Sequence, residues 1–600
     1  MKDRKAPQRK PLADPASETW NQLPWRKLEK HVFRIQKRIF RASQCGNTRA
    51  VHKLQKLLMK SEAARLLAVR RVTQDNQGKK TAGVDGVKSV LPKHRLVMAQ
   101  QIHPKHWIHG PVKPVRRIFI PKPGKDEKRP LGIPTMFERS RQALAKLAME
   151  PQWEALFEAH SYGFRPGRSC HDAIQAIFDA IKHKAKYILD ADIAGCFDHI
   201  SHPALLRKLN TYPAMRQAIK GWLEAGVLTE GEFTPTERGT PQGGVISPLL
   251  MNIALHGMET AILRAYKVKD RPQVVRYADD FAIFHATEEG VKKAQILVED
   301  WLKEIGLELK PSKTRTSHTL VPHQGNVGME FLGFTIRQTP VGKHRTGTNG
   351  HGQPLGFKTI ITPSKEAIQG QVRKLGAICK QCQAASQERL IRQLNPVIRG
   401  WANYYRAVVS KVMFSHCDHA VYEMTRSWAR RRHPRKNMYW IKDRYWKTDE
   451  TRKWIFRDQE GHTLRNHSDT AIRRHVKVKG NASPYDGNFL YWSQRLRQHP
   501  MLYGKLARLL QKQQGKCRWC ELTFRFGDRV EIDHITPKNQ GGGDELSNLM
   551  ALHRHCHDQR HARDAETGIH DKDARIEEPD EGRTLTSGFE SRQEGVILLA

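Results

Sequence analysis

The sequence predicts an α+β multidomain protein, and three observations carry that reading. Two apolar strands in the middle of the chain, Tyr187-Ile188-Leu189-Asp190-Ala191-Asp192-Ile193 and the pair of runs Val274-Val275 and Phe281-Ala282-Ile283-Phe284, are both joined to aspartates. Apolar residues at helical spacing recur before and after them. Near the C-terminus, Cys517-Arg518-Trp519-Cys520 and His553-Arg554-His555-Cys556 form a C-x2-C and an H-x2-C knuckle. The chain has 600 residues, enough for several domains, and its 38% apolar content suffices for ordinary cores.

Charge narrows the partners. With 103 Lys and Arg against 61 Asp and Glu, the formal charge is +42, which repels itself in a compact protein unless a polyanion neutralises it. RNA or DNA is the natural partner, with affinity falling steeply as salt rises. No long apolar run or amphipathic anchor supports a membrane. The start, Met1-Lys2-Asp3-Arg4-Lys5, lacks the apolar region of a secretory signal. Nine cysteines in so long a chain argue for reduced thiols in a cytosol.

In chain order, residues 1–75 are basic and read as helices, as over Val51 to Arg70. Thr81-Ala82-Gly83-Val84-Asp85-Gly86 is a turn-rich break opening a second domain, 76–340. There Tyr277-Ala278-Asp279-Asp280 reads as strand, tight turn, strand, with two carboxylates at the tip. Two strands delivering carboxylates to one point can hold two Mg²⁺ ions for nucleotidyl transfer, with Asp192, Asp279 and Asp280 as the candidate triad. The glycine-rich stretch 340–357 reads as a flexible loop, and Ser364 to about Arg432 as helices. From Arg426 to Trp454, basic residues alternate with Trp428, Tyr439, Trp440, Tyr445, Trp446 and Trp454. Such a block grips phosphates and stacks on bases, or else forms a small core with a charged surface. The last segment, 563–600, carries Glu577-Glu578-Pro579-Asp580-Glu581 and little apolar content, and is expected to be disordered.

Beyond the acidic pair, Arg117-Ile118-Phe119-Ile120-Pro121-Lys122, Arg129-Pro130-Leu131-Gly132-Ile133-Pro134, Tyr162-Gly163-Phe164-Arg165-Pro166-Gly167-Arg168-Ser169, Gly239-Thr240-Pro241-Gln242-Gly243-Gly244-Val245-Ile246-Ser247-Pro248 and Phe331-Leu332-Gly333-Phe334 follow in order. This series resembles the reverse transcriptase of group II intron-encoded proteins over roughly residues 80 to 340. The resemblance implies a right-hand polymerase with fingers and palm over 76–340, a helical thumb or maturase domain over 341–432 and a basic DNA-binding region over 433–505. It also implies that Lys122 and Arg129 contact the triphosphate, that Phe197 packs under the incoming sugar and favours dNTPs, and that Tyr277 and Ala278 lie beside the primer end. Ile193 would offer a metal only its carbonyl. Gln242, between Pro241 and two glycines, fits a loop closely approaching a substrate. Lys313 lies in a stretch resembling the next family motif and is left without a role. Without the family match, Lys122 and Arg129 read as surface cations and Phe197 as core.

The two knuckles suit a structural Zn²⁺ on Cys517, Cys520, His553 and Cys556, with His555 and His557 as alternatives to His553. The other option is a zinc-free set of thiols. Between the knuckles lie Glu531-Ile532-Asp533-His534-Ile535, Gly541-Gly542-Gly543-Asp544 and Asn548-Leu549, followed by His557 and His561 four apart. This region, 506–562, resembles an HNH nuclease, a ββα fold around one divalent ion. By that resemblance His534 is the general base, Asn548 holds its imidazole, and Asp533, His557 and His561 bind the metal. Asp533 stands where many members have His. The histidine cluster could instead extend the zinc site.

The resemblance as a whole implies an RNA-directed DNA polymerase, maturase and DNA endonuclease that binds its intron RNA, target DNA and dNTPs. It would act as a cytoplasmic bacterial ribonucleoprotein, with an organellar origin left open. The oligomeric state is open, a dimer included. The rivals are a stand-alone reverse transcriptase of the retron or defence type, and a non-catalytic RNA-binding splicing chaperone.

Overall fold

The basic N-terminal segment folds as helices because its apolar residues fall on one stripe: Val32, Ile35, Ile39 and Phe40 of Trp25–Gln44 are buried while the intervening lysines and arginines face water. The computed structural model describes residues 20–107, 112–121, 128–448, 453–488, 491–492, 494–495, 504–524, 528–566 and 583–584. The helical pattern Val51–Arg70 is two helices, Thr48–Lys60 and Glu62–Arg70, parted by Ser61, whose ψ of 128° is extended. The apolar stripe continues across that break, so periodicity alone does not reveal it.

Four strands form a sheet ordered β2-β1-β4-β5, from β1 (Val115–Pro121), β2 (Lys128–Ile133), β4 (Val227–Thr229) and β5 (Glu232–Thr234). A second sheet is ordered β6-β7-β3-β8, from β3 (Tyr187–Asp192), β6 (Gln273–Tyr277), β7 (Asp280–His285) and β8 (Arg315–His318). Along β3, Ile188 joins one apolar cluster with Ala282 and Phe284, while Leu189 and Ala191 join another with Phe281 and Ile283. Both faces of this sheet are therefore buried, which is why its strands read as continuous apolar runs rather than alternating ones.

The expected loop at 340–357 is the tip of a long hairpin. β10 (Phe334–Pro340) pairs with β11 (Phe357–Pro363) from Phe334↔Pro363 to Pro340↔Phe357, and the tip carries an isolated Thr348↔Pro354 bridge. β9 (Met329–Phe331) joins β10 through the Leu332-Gly333 turn, where both residues have positive φ.

Helices Lys365–Gln381, Gln387–Tyr405 and Lys411–Arg432 follow, the first two opened by Ser364 and Ser386, which accept from the amides of Ala367 and Arg389. Their core does not stop at 432. Leu375, Leu390, Leu394 and Ile398 share one cluster with Trp428, Ile441, Tyr445, Trp446, Phe456 and Leu464, including strands β12 (Trp446–Lys447) and β13 (Ile455–Phe456). A boundary at 432/433 thus cuts through one core, and Trp428, Tyr445 and Trp446 pack inside it rather than face a nucleic acid. Tyr439, Trp440 and Trp454 stay exposed.

Part of the region read as DNA-binding is a strap across the polymerase. Asp172, fully buried, accepts from the Val478 amide at 2.8 Å and meets His475 at 3.0 Å and the Arg495 guanidinium. Tyr485 donates to Glu150 at 2.7 Å.

The C-terminal domain is a ββα unit: β14 (Arg529–His534), β15 (Leu549–His553) and the helix Arg554–Glu566. That helix runs four residues past the expected end at 562. Most of the acidic tail lies outside the described residues, as do Met1 to Lys5; Arg583–Thr584 forms β16 against β14. Among the described residues no helix is long and apolar enough to cross a membrane.

Candidate active sites

The first site grows from strand register. β3 and β7 pair with Asp192 directly opposite Asp280, and β6 pairs with β7 with Tyr277 opposite Asp280. That leaves Ala278-Asp279 as a two-residue turn, with Ala278 at φ +60°. The three aspartates therefore lie at one end of the sheet, as candidates to hold metal ions.

The turn is braced from behind. Buried Arg276 donates to the Ala278 carbonyl at 3.1 Å and to Asn252 Oδ1 at 3.2 Å, and Asn252 donates to the Gly163 carbonyl at 2.8 Å. Burial pushes the Asp280 carboxyl well above the ordinary range, and neighbouring Asp279 and Asp192 add repulsion in the same direction. Carboxylates crowded this closely suit divalent cations. Lys313, left without a role by the sequence, brings its ammonium to Asp192 Oδ2 at 2.5 Å. Burial opposes its charge, but the bond to Asp192 and the nearby carboxylates outweigh that and raise its pKa.

Beside the triad, Phe197 lies on the short helix Cys196–His199, half-buried and edge-on to Phe164 at 6.4 Å. Gln242 donates to Asp198 Oδ2 at 3.2 Å, and its carbonyl accepts from Gly132. Gly243, at φ +106°, has no room for a Cβ, which would stand 2.8 Å from the Gly132 carbonyl oxygen. The loop is thus wedged between β2 and the Phe197 segment. Arg129 lies on β2 opposite Ile120; Lys122 falls outside the described residues. Ile193 bridges Leu309, and the two ladder bonds there run from Ala194 and to the Asp192 carbonyl, on either side of Ile193.

The second site has two clusters. Cys517, Cys520, His553 and Cys556 are all buried, with their donor atoms within 4.8 Å of one another. His553 turns Nδ1 toward Cys520 Sγ at 3.3 Å and Nε2 toward Asp528 at 3.3 Å, the carboxylate–histidine arrangement that orients a metal ligand. Neighbouring Cys520 and Cys556 hold the Cys517 thiol far below its usual range. His555 and His557 are not in this cluster. Four donors of three sulfurs and one nitrogen fit tetrahedral Zn²⁺.

Asp533, His557 and His561 form the other cluster, again with donor atoms within 4.8 Å. Burial alone would raise the Asp533 pKa; His561 and Arg560 outweigh it and hold the carboxylate down at about 2. His534 follows on β14, but the Asn548 side chain makes its hydrogen bonds elsewhere. The Asn548 side chain accepts from the Thr536 amide at 2.8 Å and donates to the Thr536 and Gly543 carbonyls at 3.0 and 2.9 Å, bracing the loop. The imidazole is held instead by Asp544, whose Oδ1 lies 2.7 Å from His534 Nε2. Loop folding, which spacing does not encode, decides between the two partners.

A carboxylate-tipped polymerase palm joined to a ββα nuclease defines the class: an RNA-directed DNA polymerase carrying an HNH endonuclease. Residues 120–336 match the family described as reverse transcriptase (RNA-dependent DNA polymerase), and residues 20–102 its N-terminal domain. Residues 368–446 match the group II intron maturase-specific domain and 517–563 the HNH endonuclease. Protein YkfC of Escherichia coli (strain K12) is 32% identical over 317 residues, 45% of this chain and 80% of that protein. Maturase-like protein 1 of Euglena gracilis is 30% identical over 386 residues, 64% of this chain and 76% of that one. Group II intron-encoded protein LtrA of Lactococcus lactis subsp. cremoris is 35% identical over 221 residues, 35% of this chain and 37% of its own length. The chain belongs to the group II intron-encoded proteins, whose reverse transcriptase, maturase and endonuclease domains serve intron splicing and retrohoming. Such domains use divalent metals and bind intron RNA and DNA.

Proposed function

We propose that this chain binds the RNA of its own intron, assists its folding for splicing, and then copies it at a DNA target that its nuclease domain nicks. The observation carrying this reading is one chain holding both sites, Asp192 opposite Asp280 beside Asp279, and Asp533 with His557 and His561. Asp192, Asp279 and Asp280 would hold two Mg²⁺ ions, which would supply activation of the primer 3′-hydroxyl and charge compensation for the leaving pyrophosphate. Lys122 and Arg129 grip the triphosphate, Phe197 packs under its sugar, Gln242 lines the approach, and Tyr277 lies beside the primer end.

In the nuclease, His534 takes a proton from the attacking water, oriented by Asp544 across 2.7 Å. Asp533, His557 and His561 would hold a divalent ion able to stabilise charge on a phosphate, Asn548 keeps the loop in place, and Cys517, Cys520, His553 and Cys556 would hold Zn²⁺. A nick supplies the 3′-hydroxyl the polymerase needs, so the two activities are ordered. The bacterial relatives YkfC and LtrA support a cytoplasmic ribonucleoprotein. The maturase match speaks against a stand-alone reverse transcriptase, and the complete carboxylate triad against a pure chaperone.

The test is target-primed synthesis by the intron ribonucleoprotein on double-stranded DNA. His534→Ala should abolish nicking and therefore copying, while a pre-nicked target restores copying. Failure of the pre-nicked target to restore it would break the proposed order.

A further inference from the structure

The metal knuckle of the nuclease has a second face. His555 stacks on the ligand-type His553 at 5.1 Å and 14°, but points the other way and is 5% exposed. Its Nδ1 lies 3.4 Å from Glu29 on the N-terminal helix Trp25–Gln44. Glu29 in turn lies 3.9 Å from Arg70, which sits 4.7 Å over the Trp25 ring and pairs with Asp75 at 3.6 Å. One helical turn beyond His555, Gln559 Nε2 donates to the Leu23 carbonyl at 2.9 Å. A cavity at this junction is walled by Glu29 and Arg70 from one side, Tyr485 from the strap, and Asp528 and His555 from the nuclease.

We infer that this face is an internal dock holding the nuclease against the N-terminal helices, and that metal in the knuckle orders the dock. The second part rests on the zinc reading above. His555 stands between His553 and Cys556, so fixing those two side chains on a metal fixes the histidine that meets Glu29. Glu29 and Arg70 are largely withdrawn from water, where an ion pair stripped of one neighbour is costly, so the N-terminal helix gains order from the nuclease. The dock fixes how far the nick falls from the polymerase site.

Hydrogen exchange on the full chain tests this, read in the helix Trp25–Gln44, far from either perturbation in sequence. Gln559→Ala should speed exchange there about tenfold, as should chelation of the knuckle metal, while primer extension persists. Glu29→Ala should reciprocally loosen the helix Arg554–Glu566. Unchanged exchange in both variants would overturn the dock. A chain purified without zinc, or chelation that strips zinc and leaves Trp25–Gln44 unmoved, would overturn the coupling to metal; only the former also removes the zinc reading.

Discussion

Gly163 sits where no larger residue fits. A Cβ there would stand 2.5 Å from the Ala278 amide nitrogen and 3.0 Å from the Ala278 Cβ, so the turn carrying Asp279 would have to move. Such overpacking costs about 1–3 kcal/mol. Because a shift of about 1 Å in a reacting group costs about 10²-fold, Gly163→Ala should cut primer extension by that order with nicking unaffected, as parallel assays would show. Asp280 makes a second prediction. Its raised carboxyl means that the folded, metal-free chain binds a proton the unfolded chain has released, so metal-free stability falls as pH rises through that raised pKa. Asp280→Asn removes the penalty. In chelator at neutral pH it should melt above wild type by calorimetry, with the gap closing as pH falls, although it copies nothing. Equal melting at every pH would contradict charge crowding at the triad.

At the scale of elements, what was legible in the sequence was local. The Tyr277–Asp280 turn and each half of the paired knuckles occupy a few consecutive residues, and the fold places them as a turn and a buried cluster. Lys313 was missed because its partner Asp192 is 121 residues away, a contact only sheet order creates. Asp544 was missed because a short glycine-rich loop can present either it or Asn548 to His534. The aromatic block was left between two readings for another reason: composition shows six rings but not which of them a neighbouring helix covers. Ser61 and the Asp172 strap left no periodic trace at all. The knuckle carries its own prediction. Cys517→Ser removes one of four donors, so the nuclease should lose its metal and its melting transition, since such sites contribute folding energy directly. The polymerase transition should remain, with zinc content and calorimetry as the readouts.

For the whole molecule, the formal charge of +42 suits the binding of polyanions, with a salt dependence set by phosphate contacts. Against that basic background stand the aspartates of the palm and the Asp533–His557–His561 cluster of the nuclease. The maturase core runs on to Leu464, and the strap beyond it closes over Asp172 of the polymerase. The central claim is that Asp192, Asp279 and Asp280 form a working polymerase site. Its most direct test is Mg²⁺-dependent dNTP incorporation on a primed RNA template, comparing wild type with Asp279→Ala. Metal catalysis of this kind supplies several kcal/mol, so the variant should incorporate about 10³-fold less while binding RNA normally. Equal incorporation by both, or none by wild type with RNA binding intact, would contradict the account.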